Sequence, residues 1–359
     1  MRGAAAHLLL ALALAALVAL VQRALSPYAV TLLSLVLMQV ALAVSLQVTN
    51  GLTGLFSLGH PAFMTVGAYV SAILTYPVRR KGFMMPDLPP VLAESEWALV
   101  PAVLVAALAA ALLALVVGLS VLRLKGHYLA VATLGLIIVV RTLVNNLDGY
   151  TRGGLGLSGV PRLTDPWTVY AFVVLVWYLC WRIKHSSYGR AMMAMRENEL
   201  AARSTGVDVL ALQLFAFVFG AAVAGAAGAL TVHLVSVVTP GAYGIPLAFT
   251  LVVMVVIGGQ GSLTGAALAA VLVALASEAL RPLEESLELY GLSQALVAVA
   301  LLLMLRFRPQ GLFGSREPGL LVGGSNLGGS SSACPSPART TPRAVSAGTA
   351  PSTPDAPRS

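Results

Sequence analysis

The chain alternates between long apolar runs and short polar loops. A membrane span needs roughly 20 apolar residues, fewer where protein covers part of the helix. On that measure about ten runs predict membrane helices. They cover residues 4–21, 28–48, 61–76, 98–122, 128–144, 167–183, 209–235, 246–257, 263–280 and 292–305. The eighth is short enough to be a broken or re-entrant segment. The first follows Arg2 as a signal peptide would, but no convincing small-x-small cleavage site follows it before the second run, so a retained helix is expected.

One polar stretch interrupts this pattern with a helix of its own. Residues 187–206 read SYGRAMMAMRENELAARSTG. Ser186 or Ser187 is placed to cap the N-terminus, Gly206 to end the helix, and Glu199 and Arg203 stand at i,i+4 in the favourable order. Tyr188, Ala191, Met192 and Met195 share one face; Arg190, Glu197 and Ala201 lie on another. A polar helix between two spans must bury its apolar stripe somewhere. It is either a connector lying on the bilayer surface or a docking element for a cytoplasmic partner.

Composition agrees with a polytopic membrane protein: 58% of residues are hydrophobic and 10% charged, against about 25% charged in soluble domains. The net charge of +8 does not point to nucleic acid, because the basic residues sit in short loops and act as topology signals. Arg123 with Lys125, then Arg182, Lys184, Arg190, Arg196 and Arg203, then Arg306 with Arg308, all fall on the cytoplasmic side when Arg2 starts inside. The acidic loop at 281–290 then lies outside. The loop carrying Arg79, Arg80 and Lys81 runs against this pattern. Cys180 in an apolar run and Cys334 in a low-complexity tail suggest no disulfide. Residues 1–314 read as one membrane domain, and residues 315–359, rich in Gly, Ser, Thr, Pro and Ala, read as disordered.

The chemistry is defined largely by what is missing. No GxxxxGK[ST], HExxH or GxSxG occurs, which removes the signatures of phosphate-loop ATPases, zinc proteases and serine hydrolases. No span carries a central Asp or Glu of the kind a proton relay uses. Arg141, His233 and Glu278 stand near span ends and are expected at the interface. Three glycine-rich interruptions remain: NGLTGLFSLGH at 50–60, GGLGLSGVP at 153–161 and GGQGSLTG at 258–265. Each is either a loop or packing notch, such as Gly261 with Gly265, or a broken helix offering backbone groups to a small zwitterionic solute.

Six motifs carry a family resemblance: SLGHPAFMTVGAYVSA at 57–72, LKGHYLAVATLG with RTLVNN at 124–146, GGLGLSGVP, GRAMMAMRENELAARSTGVDV at 189–209, LVVMVVIGGQGSLTGAALAA at 251–270 and RFRPQGLFG at 306–314. In this order they resemble the permease subunits of branched-chain amino-acid ABC importers, the M-type more than the H-type, over roughly residues 42–314. The resemblance implies an all-α polytopic permease in a bacterial inner (cytoplasmic) membrane. It would pair with a second permease, two cytoplasmic ATPase subunits and an external solute-binding protein, with no cofactor or metal of its own. It also makes 187–206 a coupling helix, with Arg190, Met192, Met195, Arg196, Glu197, Asn198 and Glu199 toward the ATPase. Asn50, Gly51, Ser57, Gly59, His60, Thr133, Asn145 and Asn146 are the candidate translocation-path residues. The resemblance implies as solute a branched-chain or related amino acid, or another small solute such as urea. A secondary transporter is the competing class; an intramembrane enzyme lacks a nucleophile–base pair beyond Ser57 and His60.

Overall fold

The structure, a computed structural model, describes residues 12–16, 18–23, 26–124, 126–288, 291–308 and 311–314. Lys125, Cys334, the tail from 315 and the start of the first apolar run lie outside those residues. The main helices are α1 (Pro27–Leu46), α2 (His60–Thr75), α3 (Leu99–Val121), α4 (His127–Asn146), α5 (Pro166–His185), α6 (Ser187–Glu197), α7 (Glu199–Ser204), α8 (Val209–Val235), α9 (Ile245–Gly258), α10 (Leu263–Leu287) and α11 (Leu292–Phe307). Among the described residues six helices are long and apolar enough to cross a membrane: α1 with its extension to Leu52, α3, α4, α5, α8 and α10. The other expected spans are shorter. α9 has 14 residues, a length of ~21 Å against a hydrocarbon core of about 30 Å.

Helix α8 is the centre of the bundle and packs against α3, α2 and α1. Its sequence explains why it can be shared so widely. Gly220, Ala221, Ala224, Gly225, Ala227 and Gly228 are all buried along it, and small residues let neighbouring backbones approach closely where lipid removes any hydrophobic drive for association. α3 answers with a single stripe at fourfold spacing, Ala102, Ala106, Ala110, Ala114 and Gly118, all buried. Its opposite face exposes Val100, Leu104, Leu108, Leu112 and Val116. The approach leaves no room for a side chain. A Cβ on Gly67 of α2 would stand 2.1 Å from the Gly225 carbonyl oxygen, and one on Gly225 2.5 Å from the Ala110 methyl.

The helices alternate, so the connecting elements collect at two ends. One end holds α6, α7, the 259–262 turn and residues 311–313, where the Leu312 N–H donates to Ile257 O at 2.8 Å. The other end holds the 77–97 loop and the glycine-rich segment at 153–161. There β1 (Leu157–Ser158) pairs antiparallel with β2 (Val237–Val238), the Tyr76 hydroxyl donates to Ser158 O at 2.7 Å, and Gly159 and Val160 both donate to Ser236 O. That segment is therefore a strand-paired cap rather than a broken helix with free backbone groups.

Two ionisable groups are enclosed by the protein. His233, two residues from the end of α8, is fully buried: its Nδ1 donates to Pro161 O at 3.0 Å and its Nε2 lies 2.8 Å from the Ser71 hydroxyl. Lys81 is buried inside the 77–97 loop, where its Nζ donates to Leu92 O at 2.8 Å and to Ser95 O. Burial pushes its pKa below the usual lysine value, with Glu96 opposing the shift. One of the three cations that contradicted the charge pattern is thus consumed within its own loop.

The close helix contacts generate a stability prediction. Gly67→Val should destabilise the detergent-solubilised protein by about 2–3 kcal/mol or more, since overpacking forces a backbone shift. Gly135→Ala, in the interior of α4 where a Cβ meets nothing within 4 Å, should not lower the thermal unfolding midpoint and should raise it slightly, since alanine favours a helix interior over glycine.

Candidate functional site

The site is built where α1 stops being an α-helix. After Leu46 the backbone widens into a π turn over Gln47–Leu52 and then leaves helical geometry until α2 begins at His60. Wide turns of this kind concentrate at functional positions. His60 starts well inside the bundle: its Nε2 lies 3.3 Å from the Ser45 hydroxyl of α1, and its ring approaches Gly220 of α8. Gly220 is ~16 Å along α8 from Val209.

Unwound backbone at this depth needs protein partners, and local side chains supply them. Asn50 closes the loop on itself: its Nδ2 donates to Ser57 O at 3.0 Å, and its Oδ1 accepts from the Ser57 N–H at 3.2 Å. The Leu58 N–H donates to the Thr133 hydroxyl of α4 at 3.0 Å, and the Gly59 N–H to Ser57 Oγ at 3.3 Å. Thr49 Oγ1 donates to Ala216 O of α8 at 3.0 Å. Asn50, Ser57, His60 and Thr133 are all buried.

A second irregular segment meets this one. The turn joining α9 to α10 has Gly259 at φ 105° and Gly261 at φ 100°, conformations that favour glycine. Three successive carbonyls of this turn are held from three different elements. Gln47 Nε2 of the π turn donates to Gly259 O at 2.9 Å. Arg196 of α6 donates to Gln260 O at 3.4 Å, and Lys184 of α5 donates to Gly261 O at 2.5 Å. Arg196 also donates to Gly51 O at 2.6 Å.

The polar insert lies across this junction as two helices rather than one. Asn198, with φ −154° and ψ 105°, breaks it and caps α7 by accepting the Ala201 N–H at 3.0 Å. Ser186 caps α6 by accepting from the Gly189 N–H at 3.2 Å, and Gly206 has φ 85°. A Cβ on Gly189 would be 2.3 Å from Ile183 O, so α6 crosses tightly over the end of α5. Glu199 and Arg203 pair at 2.6 Å.

The residues expected to face a partner divide into two sets. Met192 and Met195 are buried in the chain's own core and seat α6 on the bundle; helical periodicity gave their shared face but not which side it turns to. Arg196 points inward, with 21% of its side chain exposed against 75% for the adjacent Glu197. Arg190, Glu197 and Asn198 are exposed and Glu199 is half-buried; Tyr188 and Leu200 join them at 62% and 79% exposure. Of the path residues, Asn50, Gly51, Ser57, Gly59, His60 and Thr133 come together. Asn145 and Asn146 do not: they end α4, ~18–20 Å along it from Thr133.

Sequence reading missed Lys184, Gln47 and Gln260 at the junction. Lys184 resembled one more topology charge and Gln47 the end of an apolar run, while a backbone acceptor such as Gln260 O leaves no sequence signal. Three further buried atoms, Gln39 Oε1, Gln47 Oε1 and Tyr69 Oη, have no hydrogen-bond partner among the described residues. Unpaired buried polar atoms are uncommon and mark places where a ligand or water is accommodated.

Residues 28–305 match the family described as branched-chain amino acid transport system / permease component. The high-affinity branched-chain amino acid transport system permease protein LivM of Escherichia coli K12 is 30% identical over 325 aligned residues, covering 81% of this chain and 71% of that protein. The protein of the same name from Salmonella typhimurium LT2 shows the same identity and coverage. A probable branched-chain amino acid transport permease protein LivM of Methanocaldococcus jannaschii is 28% identical over 155 residues, 41% of this chain and 45% of that one. No solved structure matches.

Asn50→Ala would leave the Ser57 N–H and C=O without their partner. The expected cost is ~1–3 kcal/mol, read as faster amide exchange confined to residues 53–59. Unchanged exchange there would mean that Asn50 does not hold the segment.

Proposed function

The chain belongs to the branched-chain amino acid transport permease family, and on that premise we propose how it works and with which partners. It is a membrane-spanning permease component and not itself an enzyme. In our reading it carries branched-chain amino acids, or a related small solute, across a bacterial inner membrane. Two cytoplasmic ATPase subunits drive it, a second permease subunit completes the pore, and an external binding protein delivers the solute.

The observation that carries this reading is the exposed face of α6 and α7. Both helices are seated on the bundle through Met192, Met195 and Ala202, yet they turn Tyr188, Arg190, Glu197 and Leu200 outward. A connector that only lay on lipid would turn its apolar face to the bilayer; here that face is spent on the protein. What is presented outward is charged residues around large apolar ones, the mixture found at interfaces between subunits.

The path runs beside the unwound segment, where residues 50–60 bring backbone and side-chain polar groups into an otherwise apolar bundle. An amino-acid head group needs a few polar partners and an apolar passage for its side chain. Tyr69 Oη and Gln39 Oε1, without partners among the described residues, are suited to a zwitterion: one can donate to a carboxylate, the other accept from an ammonium.

Two experiments on the reconstituted transporter test this. Arg190→Glu combined with Leu200→Arg should leave the permease inserted while ATPase subunits no longer co-purify and uptake falls at least tenfold; retained ATPases would return α6 to the role of a surface connector. At Gly59, φ is −77° and a Cβ makes only ordinary contacts, the nearest 3.4 Å from the Phe63 ring. Gly59→Ala should therefore transport normally, whereas Gly59→Leu should cut uptake severalfold with the complex intact. Normal transport by the leucine variant would put the path elsewhere.

A further inference from the structure

Arg196 opens the RENE motif, where sequence reasoning assigns it to the partner. Its geometry is otherwise. Nη1 donates to Gly51 O at 2.6 Å and to Gln260 O at 3.4 Å, while Nη2 pairs with Glu197 at 3.0 Å. The stem of the side chain is also fitted to the π-turn region. Gly54 has φ 74°, and a Cβ there would stand 2.8 Å from Arg196 Cγ, so the residue at 54 must be small for the arginine to lie down. Gly51 and Arg196 are 145 positions apart in the chain. One side chain thus joins the polar insert to both irregular backbone segments of the membrane domain.

A guanidinium suits this place. It stays charged, and its planar fork of donors reaches several oxygens at fixed angles, where a lysine ammonium acts as a point charge. The carbonyls it meets have left regular helix geometry, and hydrogen bonds to a charged group are stronger than neutral ones. The neighbouring turn carbonyls are held by Gln47 and Lys184, so the 259–261 turn, the π turn and the ends of α5 and α6 form one connected polar network.

We propose that Arg196 is a positioning residue that links displacement of α6 to the π turn at 47–52 and the 259–261 turn, so that a push on the docking face reaches the unwound segment directly. This rests on the docking reading of α6 given above. Arg196 then contributes little to holding the ATPase subunits and much to converting their motion into solute movement. Its loss uncouples; it does not undock.

The test uses the complete transporter in proteoliposomes, comparing wild type, Arg196→Ala, Arg196→Lys, Gly54→Ala and the Arg190→Glu/Leu200→Arg docking variant. Three quantities are read: ATPase subunits retained on purification, ATP hydrolysed, and solute taken up per ATP. Arg196→Ala is expected to retain the ATPases and lower solute per ATP at least fivefold. Arg196→Lys should recover part of that ratio, and Gly54→Ala, which crowds the arginine stem and strains the backbone at φ 74° without touching the arginine's charge, should lower it as well. The proposal is overturned if Arg196→Ala keeps the wild-type ratio, or if it loses ATPase subunits in proportion to uptake. Should Arg196→Ala fail to insert, the lysine and Gly54 variants decide: wild-type ratios in both overturn it. If the docking variant retains its ATPases and its uptake, the parent reading fails and takes the link with it. If only the docking variant behaves as expected, the link alone is wrong.

Discussion

Backbone that leaves a helix at membrane depth is tolerated only where protein or a water-filled cavity covers it, and the site follows from how this chain meets that demand. Between Gln47 and His60 the α-helical ladder is abandoned, and the replacement partners come from Asn50, Thr53, Ser57, Thr133 and Arg196. These partners lie on α4 and α6 as well as within the segment itself. A local irregularity is therefore tied to distant parts of the chain, and its shape depends on where they stand.

The same demand shapes the turn at 259–261, whose carbonyls are met by side chains from α5, α6 and the π turn. Two glycine-rich stretches that look alike in sequence are thus halves of one junction. The third, at 153–161, solved the problem differently: it paired as a strand with residues 237–238 and caps the opposite end of the bundle. Glycine content signalled irregular backbone in all three, but the kind of irregularity was decided by what lay opposite.

Packing made this arrangement possible. Small residues on α8 and α3 bring backbones within the distance of a missing Cβ, where dispersion contacts replace the hydrophobic effect as the cohesive force. A central helix so tightly shared gives α2 and the π turn a firm wall: Gly220 faces both Thr49 and His60. A permease must move its path without dissolving its core. Here the densely packed α2–α3–α8 contact lies beside a segment held by a few directional hydrogen bonds.

Much of this was legible in the chain. Run lengths and hydropathy determined the long helices, because a span in lipid has few ways to satisfy its backbone, and Ser186, Glu199, Arg203 and Gly206 took the local roles their types favour. Family membership was legible too, in six ordered motifs. Orientation of the polar insert was not. Helical periodicity put Met192 and Met195 on one face without saying whether that face met this chain or another, and the structure buries both. It could not foresee the break at Asn198, where a cap competes with helix continuation, nor separate Asn145 and Asn146 from the residues gathered around Thr133. Least of all could it show that Arg196, Lys184 and Gln47 converge on carbonyls, since a backbone acceptor has no letter of its own. Sequence determined where the long apolar helices run and where glycine-rich stretches interrupt them; only tertiary structure decided which broken segment each buried donor would complete, because that depends on distances between residues far apart in the chain.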